Sequence, residues 1–164
     1  MDPSFRWDDG FGARRAWIMG RLPARPIIAA FRTETRHMPR TPIHTDSAPA
    51  AIGPYSQATR AGNTVFFSGQ IPLDPATGNV VEGGIEAQAR RAFDNLKAVA
   101  GAAGGSMADI VRVGLYLTDL SQFAAVNAVM AEYFESPYPA RSTIEVSALP
   151  KGVLFEVDAV MVLD

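Results

Sequence analysis

Cysteine is absent from the 164-residue chain. Its absence excludes a disulfide framework, a thiolate metal site and a cysteine nucleophile, and it accords with a cytoplasmic location, which is the expected one. Histidine is scarce: His37 and His44 are the only two, both near the N-terminus. A Ser-His-Asp arrangement therefore has no histidine in the body of the chain, and a metal site would have to be built from carboxylates, of which no cluster is evident. No apolar run approaches the roughly 18 residues of a membrane-spanning helix, so a soluble protein with no membrane partner is expected. A basic stripe is missing as well. Residues 47–164 hold seven Lys/Arg against twelve Asp/Glu, the reverse of a nucleic-acid footprint, and no nucleic-acid partner is expected. Gly101-Ala-Ala-Gly-Gly105 follows a helical pattern instead of preceding one, so it reads as a helix stop and not as a phosphate loop. No dinucleotide fingerprint is present, and no cofactor is expected.

Apolar material is plentiful: hydrophobic residues make up 48% and charged residues 20%, enough to fill the core of one domain. Residues 1–46 differ from the rest. They carry eight arginines against five acids, and Pro23, Pro26, Pro39 and Pro42 interrupt any regular element. This stretch reads as an irregular N-terminal extension, with Met38 as an expected alternative start; Asp2, Asp8 and Asp9 weigh against a targeting peptide.

From Ser47 onward the pattern is regular. Tyr55–Arg60 and Thr64–Gly69 are strand-like and are separated by an Ala-Gly-Asn turn. Ala89, Ala92, Phe93, Leu96, Val99, Ala100 and Ala103 recur at helical spacing up to Gly104-Gly105. Val111, Val113, Leu115 and Leu117 alternate as one face of a strand. Ser121 is placed to cap a second helix with Phe123, Val126, Met130 and Phe134 inward. Ser142–Val146 and Val153–Leu163 complete an α+β domain over residues 47–164, a ββαβαββ sheet with two helices on one face. In the last strand Phe155, Val157, Ala159, Met161 and Leu163 lie on one face, and Leu154, Val160 and Val162 on the other. Helices can cover only one of these faces. A second copy of the chain is the simplest cover for the other.

The candidate site residues are the polar minority within these strands. Arg141, Thr143 and Glu145 share one face by the two-residue period, and so do Glu156 and Asp158. Pairing of the last two strands as a hairpin around 148–152 would set Arg141 near Asp158 and Thr143 near Glu156. An arginine beside a half-buried sheet can grip a carboxylate in bidentate fashion, and a glutamate can hold or deprotonate a water. Backbone donors at Gly69, where no side chain blocks approach, can add to such a site. Each residue also has a plainer reading. Arg141 can be the ion-pair partner of Asp158, Glu156 a solvated strand residue, Tyr55 a packing aromatic, and Ser68 a turn residue with no base to activate it.

Three segments together carry a resemblance: Ala48-Pro-Ala-Ala-Ile-Gly-Pro-Tyr-Ser-Gln57, Phe67-Ser-Gly-Gln-Ile-Pro72, and Tyr138-Pro-Ala-Arg-Ser-Thr-Ile-Glu-Val146 followed by Leu149-Pro-Lys-Gly152 and Phe155-Glu-Val-Asp-Ala159. Between them, Gln88–Lys97 and Asp119–Asn127 look like helices of the same family. Over residues 47–164 the chain resembles the reactive intermediate deaminase (Rid, YjgF or L-PSP) family. The resemblance implies a chorismate-mutase-like fold and a homotrimer with clefts between subunits. It implies cofactor-free hydrolysis of 2-imino acids, such as 2-iminopropanoate and 2-iminobutanoate, to 2-oxo acids and ammonia. Carried over by position, Arg141 binds the substrate carboxylate, Glu156 positions the attacking water, and Tyr55 and Gly69 line the pocket. Thr143 stands where many members have cysteine. Two other functions stay open: a trimeric metabolite-binding regulator of the same fold, and the ribonuclease activity associated with some members, which the acidic domain favours least.

Overall fold

A computed structural model describes residues 39–164; the N-terminal extension up to residue 38 lies outside the described residues. Six strands form one sheet: β1 (Arg40–Ile43), β2 (Ala58–Ala61), β3 (Thr64–Gln70), β4 (Ile110–Leu117), β5 (Ala140–Glu145) and β6 (Phe155–Val162). Helix α1 (Ile85–Ala102) joins β3 to β4, and α2 (Phe123–Met130) joins β4 to β5. The expected ββαβαββ order is thus present, preceded by one further strand. Against the expectation that Pro39 and Pro42 interrupt regular structure, Pro42 sits within β1 opposite Thr59. β1 is the sheet edge, where a residue lacking an N–H is tolerated.

The strand order is β1-β2-β3-β6-β4-β5. β6 runs antiparallel to both β3 and β4, which makes those two strands parallel to each other, and β5 runs parallel to β4. The expected β5–β6 hairpin is therefore not formed, because β4 lies between the two strands.

Alternation decides which side chains meet the helices. Val65, Phe67, Val113, Leu115, Leu117, Phe155, Val157, Ala159 and Met161 are all buried on one face. Against them α1 sets Ala89, Ala92, Phe93, Leu96, Val99 and Ala100, and α2 sets Val126, Val129 and Met130. Phe93 is fully buried among Tyr133, Phe134 and Phe155, with ring centroids 5.1, 6.1 and 5.6 Å away.

Three details differ from the periodic reading. A bulge between Ile110 and Arg112 turns Ile110 inward and leaves Val111 exposed, so the inward set in β4 begins one residue earlier than the alternation implies. Ser121 does not cap α2: Asp119 caps the 3-10 turn Leu120–Gln122 that leads into it, its carboxylate accepting from the Ser121 amide, and α2 itself has no side-chain cap. Phe123 lies at the rim of α2 and is exposed.

The opposite face carries no helix. Phe66 is 52% exposed and Ile144 50% exposed on it, beside Val160 and Val162. This is the second apolar face expected from the last strand. Among the described residues no helix is long and apolar enough to cross a membrane.

Candidate active site

Arg141, Thr143 and Glu145 do share one face of β5, and it is the face toward α2. In register they stand opposite Val113, Leu115 and Leu117 of β4, whose side chains are core. At the sheet edge the Arg141 guanidinium turns along α2. Its Nη1 donates to Asn127 Oδ1 at 2.7 Å and approaches Met130 Sδ at 3.5 Å, and its guanidinium carbon lies 5.2 Å from the centre of the Phe123 ring. All three partners are neutral. Among the described residues Arg141 forms no ion pair, so its plainer reading as the partner of Asp158 is corrected: β4 separates the two strands. The guanidinium instead lines an open cavity of about 350 Å³ with Asn127, Met130, Ala131, Tyr138 and Pro139. A cation held in place by an amide, a thioether and an aromatic face keeps its charge available for an anionic ligand.

Two residues along β5, the Thr143 hydroxyl is buried without a hydrogen-bond partner. Such a group costs free energy unless something satisfies it. Glu145 is committed locally, accepting from the Leu120 amide at 2.8 Å.

Glu156 lies on the other face of the sheet. Its side chain leans over β3 at Gly69, where a bulge between Phe67 and Gln70 shifts the register. A Cβ on Gly69 would sit 2.7 Å from Glu156 Cδ and would collide with the carboxylate. Only glycine leaves Glu156 its position. Half-burial is the main cause that pushes the Glu156 carboxyl above its ordinary range, and the nearby Asp158 charge adds to it. A carboxylate so placed is a better base than a solvated one.

Asp158, the next residue on that face, leans the opposite way, over Gly114 of β4. Tyr116 Oη donates to it at 2.9 Å and Arg112 Nη1 at 3.4 Å. The hydrogen bond to Asp158 is the leading cause that raises the Tyr116 phenol above its usual range, followed by burial.

Tyr55 and Gly69 line one small cleft, together with Ile52, Gln57 and Gln70. The loop that carries Tyr55 is fastened by Gln57, which is buried. Its amide donates to the carbonyls of Thr45, Ala48 and Pro49 and its Oε1 accepts from the Thr45 amide. Ser68 donates its hydroxyl to the Ser56 carbonyl at 2.6 Å, a structural bond, and it lies within β3 and not in a turn.

The predicted residues thus fall into two groups. Gly69 is common to the Tyr55 cleft and to the place where the Glu156 carboxylate rests; Arg141 and Thr143 stand together on β5 beside α2. The expected approach of Thr143 to Glu156 does not occur within one chain. Asn127 and Phe123 as the anchors of Arg141, and Tyr116 and Arg112 as the partners of Asp158, are not evident from the sequence. The one available signal was an asparagine flanked by inward Val126 and Met130.

A family model described as Endoribonuclease L-PSP matches residues 45–163. Protein DfrA of Myxococcus xanthus is 54% identical over 129 residues, covering 77% of this chain and 98% of that protein. A 2-iminobutanoate/2-iminopropanoate deaminase of the mite Dermatophagoides farinae is 45% identical over 126 residues, covering 77% of this chain and 98% of its own length. The crystal structure of RidA from an Antarctic Psychrobacter superposes with a TM-score of 0.73 at 48% identity, over 75% of this chain and 99% of that one. With its mixed sheet, its two helices on one face and these relatives, the chain belongs to the reactive intermediate deaminase (Rid, YjgF/L-PSP) family.

Proposed function

We propose that the protein hydrolyses 2-imino acids, of the 2-iminopropanoate and 2-iminobutanoate type, to 2-oxo acids and ammonia. The observation that carries this reading is the Arg141 guanidinium, held only by neutral partners at the mouth of a cavity, in a chain 45% identical to a protein named for this reaction. Arg141 binds the substrate carboxylate as a charge-assisted pair. Glu156 holds a water and accepts its proton as the oxygen bonds to C2. The C=N electron pair moves to nitrogen, which takes that proton back from Glu156. In the resulting aminol the hydroxyl proton passes to nitrogen through Glu156, the C–O electron pair forms the carbonyl, the C–N bond breaks and ammonia leaves. An imine carbon is already electrophilic, so orientation of the water contributes more than strong activation, and no metal or cofactor enters the scheme.

Arg141 and Glu156 act from opposite faces of one sheet, so the reading requires two copies of the chain. In a homotrimer, one subunit's β5 edge meets the open face of the next, covering Phe66 and Val160 and closing a cleft between Arg141 and Glu156. Tyr55 and the Gly69 backbone line that cleft, and the unpartnered Thr143 hydroxyl stands next to Arg141.

The test is ammonia release from enamines generated in situ by a threonine dehydratase, for wild type and Arg141→Ala. Loss of the charge-assisted pair lowers kcat/KM by roughly 10- to 100-fold. Equal rates would overturn the reading, and saturable binding of a 2-oxo acid without turnover would replace it with a ligand-binding regulator.

A further inference from the structure

Glu156 and Asp158 are treated alike by the fold, and that likeness needs a reason. They lie two residues apart on one face of β6, roughly 7 Å along the strand. Each carboxylate rests where the neighbouring strand has a glycine. Gly69 of β3 makes room for Glu156, and a Cβ on Gly114 of β4 would sit 2.5 Å from Asp158 Oδ1 and 2.9 Å from Tyr116 Oη. The two side chains then part company. Among the described residues Glu156 has no side-chain partner, whereas Asp158 is gripped by two donors, Tyr116 and Arg112. One carboxylate is left free and the other is fixed.

The surroundings make the fixed charge matter. On this face β4 presents Arg112, Gly114 and Tyr116, β5 presents Ser142 and Ile144, and β3 presents Phe66 and Gly69. Tyr116 stands opposite Glu156, Gly114 opposite Asp158, and Arg112 one step further on, opposite Val160. Of the residues these strands present on this face, the one cation, Arg112, is thus on the far side of Asp158 from Glu156. Asp158 is the only like charge facing Glu156 from these strands, and the cation that partly offsets it lies further away.

We propose that Asp158 is a positioning residue for the reaction: clamped by Tyr116 and Arg112 over Gly114, it holds a fixed negative charge beside Glu156 that governs how readily Glu156 takes up the proton of the attacking water. Asp158 itself touches neither substrate nor water. The clamp keeps the charge at a set distance, so Glu156 alone answers to the proton. This rests on the deaminase reading for its kinetic consequence, and on the geometry alone for its effect on Glu156.

Two measurements on the full-length protein test it. The first is the acid limb of the kcat/KM–pH profile in the coupled dehydratase assay. Asp158→Asn keeps the side chain's size and its acceptor toward Tyr116 but removes the charge, and the acid limb is expected to move to lower pH. Tyr116→Phe loosens the clamp while keeping the charge, and its limb does not fall. If Asp158 served only to cross-link β4 and β6, both variants would lower activity alike and leave the limb in place, which would overturn the proposal. The second is the titration of the Glu156 side-chain carboxyl carbon by NMR with ¹³C-glutamate labelling, assigned through Glu156→Gln. A lower midpoint in Asp158→Asn supports the proposal, and an unchanged midpoint refutes it even where no deaminase turnover is seen. Absence of ammonia release from wild type would remove the deaminase reading alone.

Discussion

The two faces of the sheet are built from the same alternating strands yet do different work. On the helix face almost every inward position is aliphatic or aromatic and fully buried, and Arg141 emerges only where α2 ends and the β5 edge opens. On the open face, carboxylates, a tyrosine and an arginine are interleaved with Phe66, Val160 and Ile144. The first face is a finished core; the second is an open apolar face with charges set into it. The polar residues of the second tolerate partial burial because each has room or a partner, Glu156 over Gly69 and Asp158 between Tyr116 and Arg112. Arg141 on one face and Glu156 on the other cannot meet inside one chain, so the proposed reaction ties its chemistry to self-association.

The sharpest way to break this contrast is to divide the site between chains. Arg141→Ala and Glu156→Gln are each expected to keep about a tenth of wild-type activity or less, but co-expressed in equal amounts they should recover about a quarter of it, since random trimers rebuild that share of clefts. A mixture as inactive as its parents would place the whole site in one chain. Next in size, Phe93→Ala on the helix face should cost roughly 3–5 kcal/mol, read as a fall in the urea midpoint. Phe66→Asp on the open face should leave the far-ultraviolet circular dichroism intact while sedimentation shows smaller assemblies; an unchanged assembly would show that this face is not the interface. Asn127→Ala releases the Arg141 guanidinium from its 2.7 Å bond and should raise KM roughly 3- to 10-fold with little change in kcat.

The smallest effect is on stability against pH. The Glu156 carboxyl is raised above its unfolded value, so the native state binds that proton more tightly than the unfolded chain does. Its contribution is most favourable in acid and is lost as pH rises through the raised native value. Glu156→Gln should therefore melt higher than wild type near neutrality, with the gap closing on acidification. A gap independent of pH would mean that burial of the charge is not what Glu156 costs the fold.

Much of this was legible in the chain. The helical spacing from Ala89 to Ala103 matches α1, and alternation in β6 correctly separates the buried Phe155 set from the exposed Val162 side. What local patterns could not show was neighbourhood. Leu149-Pro-Lys-Gly152 has the composition of a hairpin turn, and Lys151 and Gly152 do take positive φ there, yet the strands it joins are parted by β4. That single non-local fact reassigned Asp158 from Arg141 to Arg112 and Tyr116. The bulge at Val111 is similarly invisible, because one extra residue shifts the phase without changing composition. Arg141 and Glu156 stood out as charges in apolar strands; Asn127 did not, because a single amide on an apolar helix face has many uses.

β6 is the last strand of the sheet in chain order and sits at its middle. A ribosome making this protein therefore delivers the keystone last. Until Phe155–Val162 emerges, β1–β3 and β4–β5 are two unjoined flaps, each with open hydrogen-bonding edges, and α1 has no complete floor to lie on. Folding to the native sheet must then wait for this strand, and loss of Phe155–Val162 should leave an insoluble product instead of a slightly weakened one.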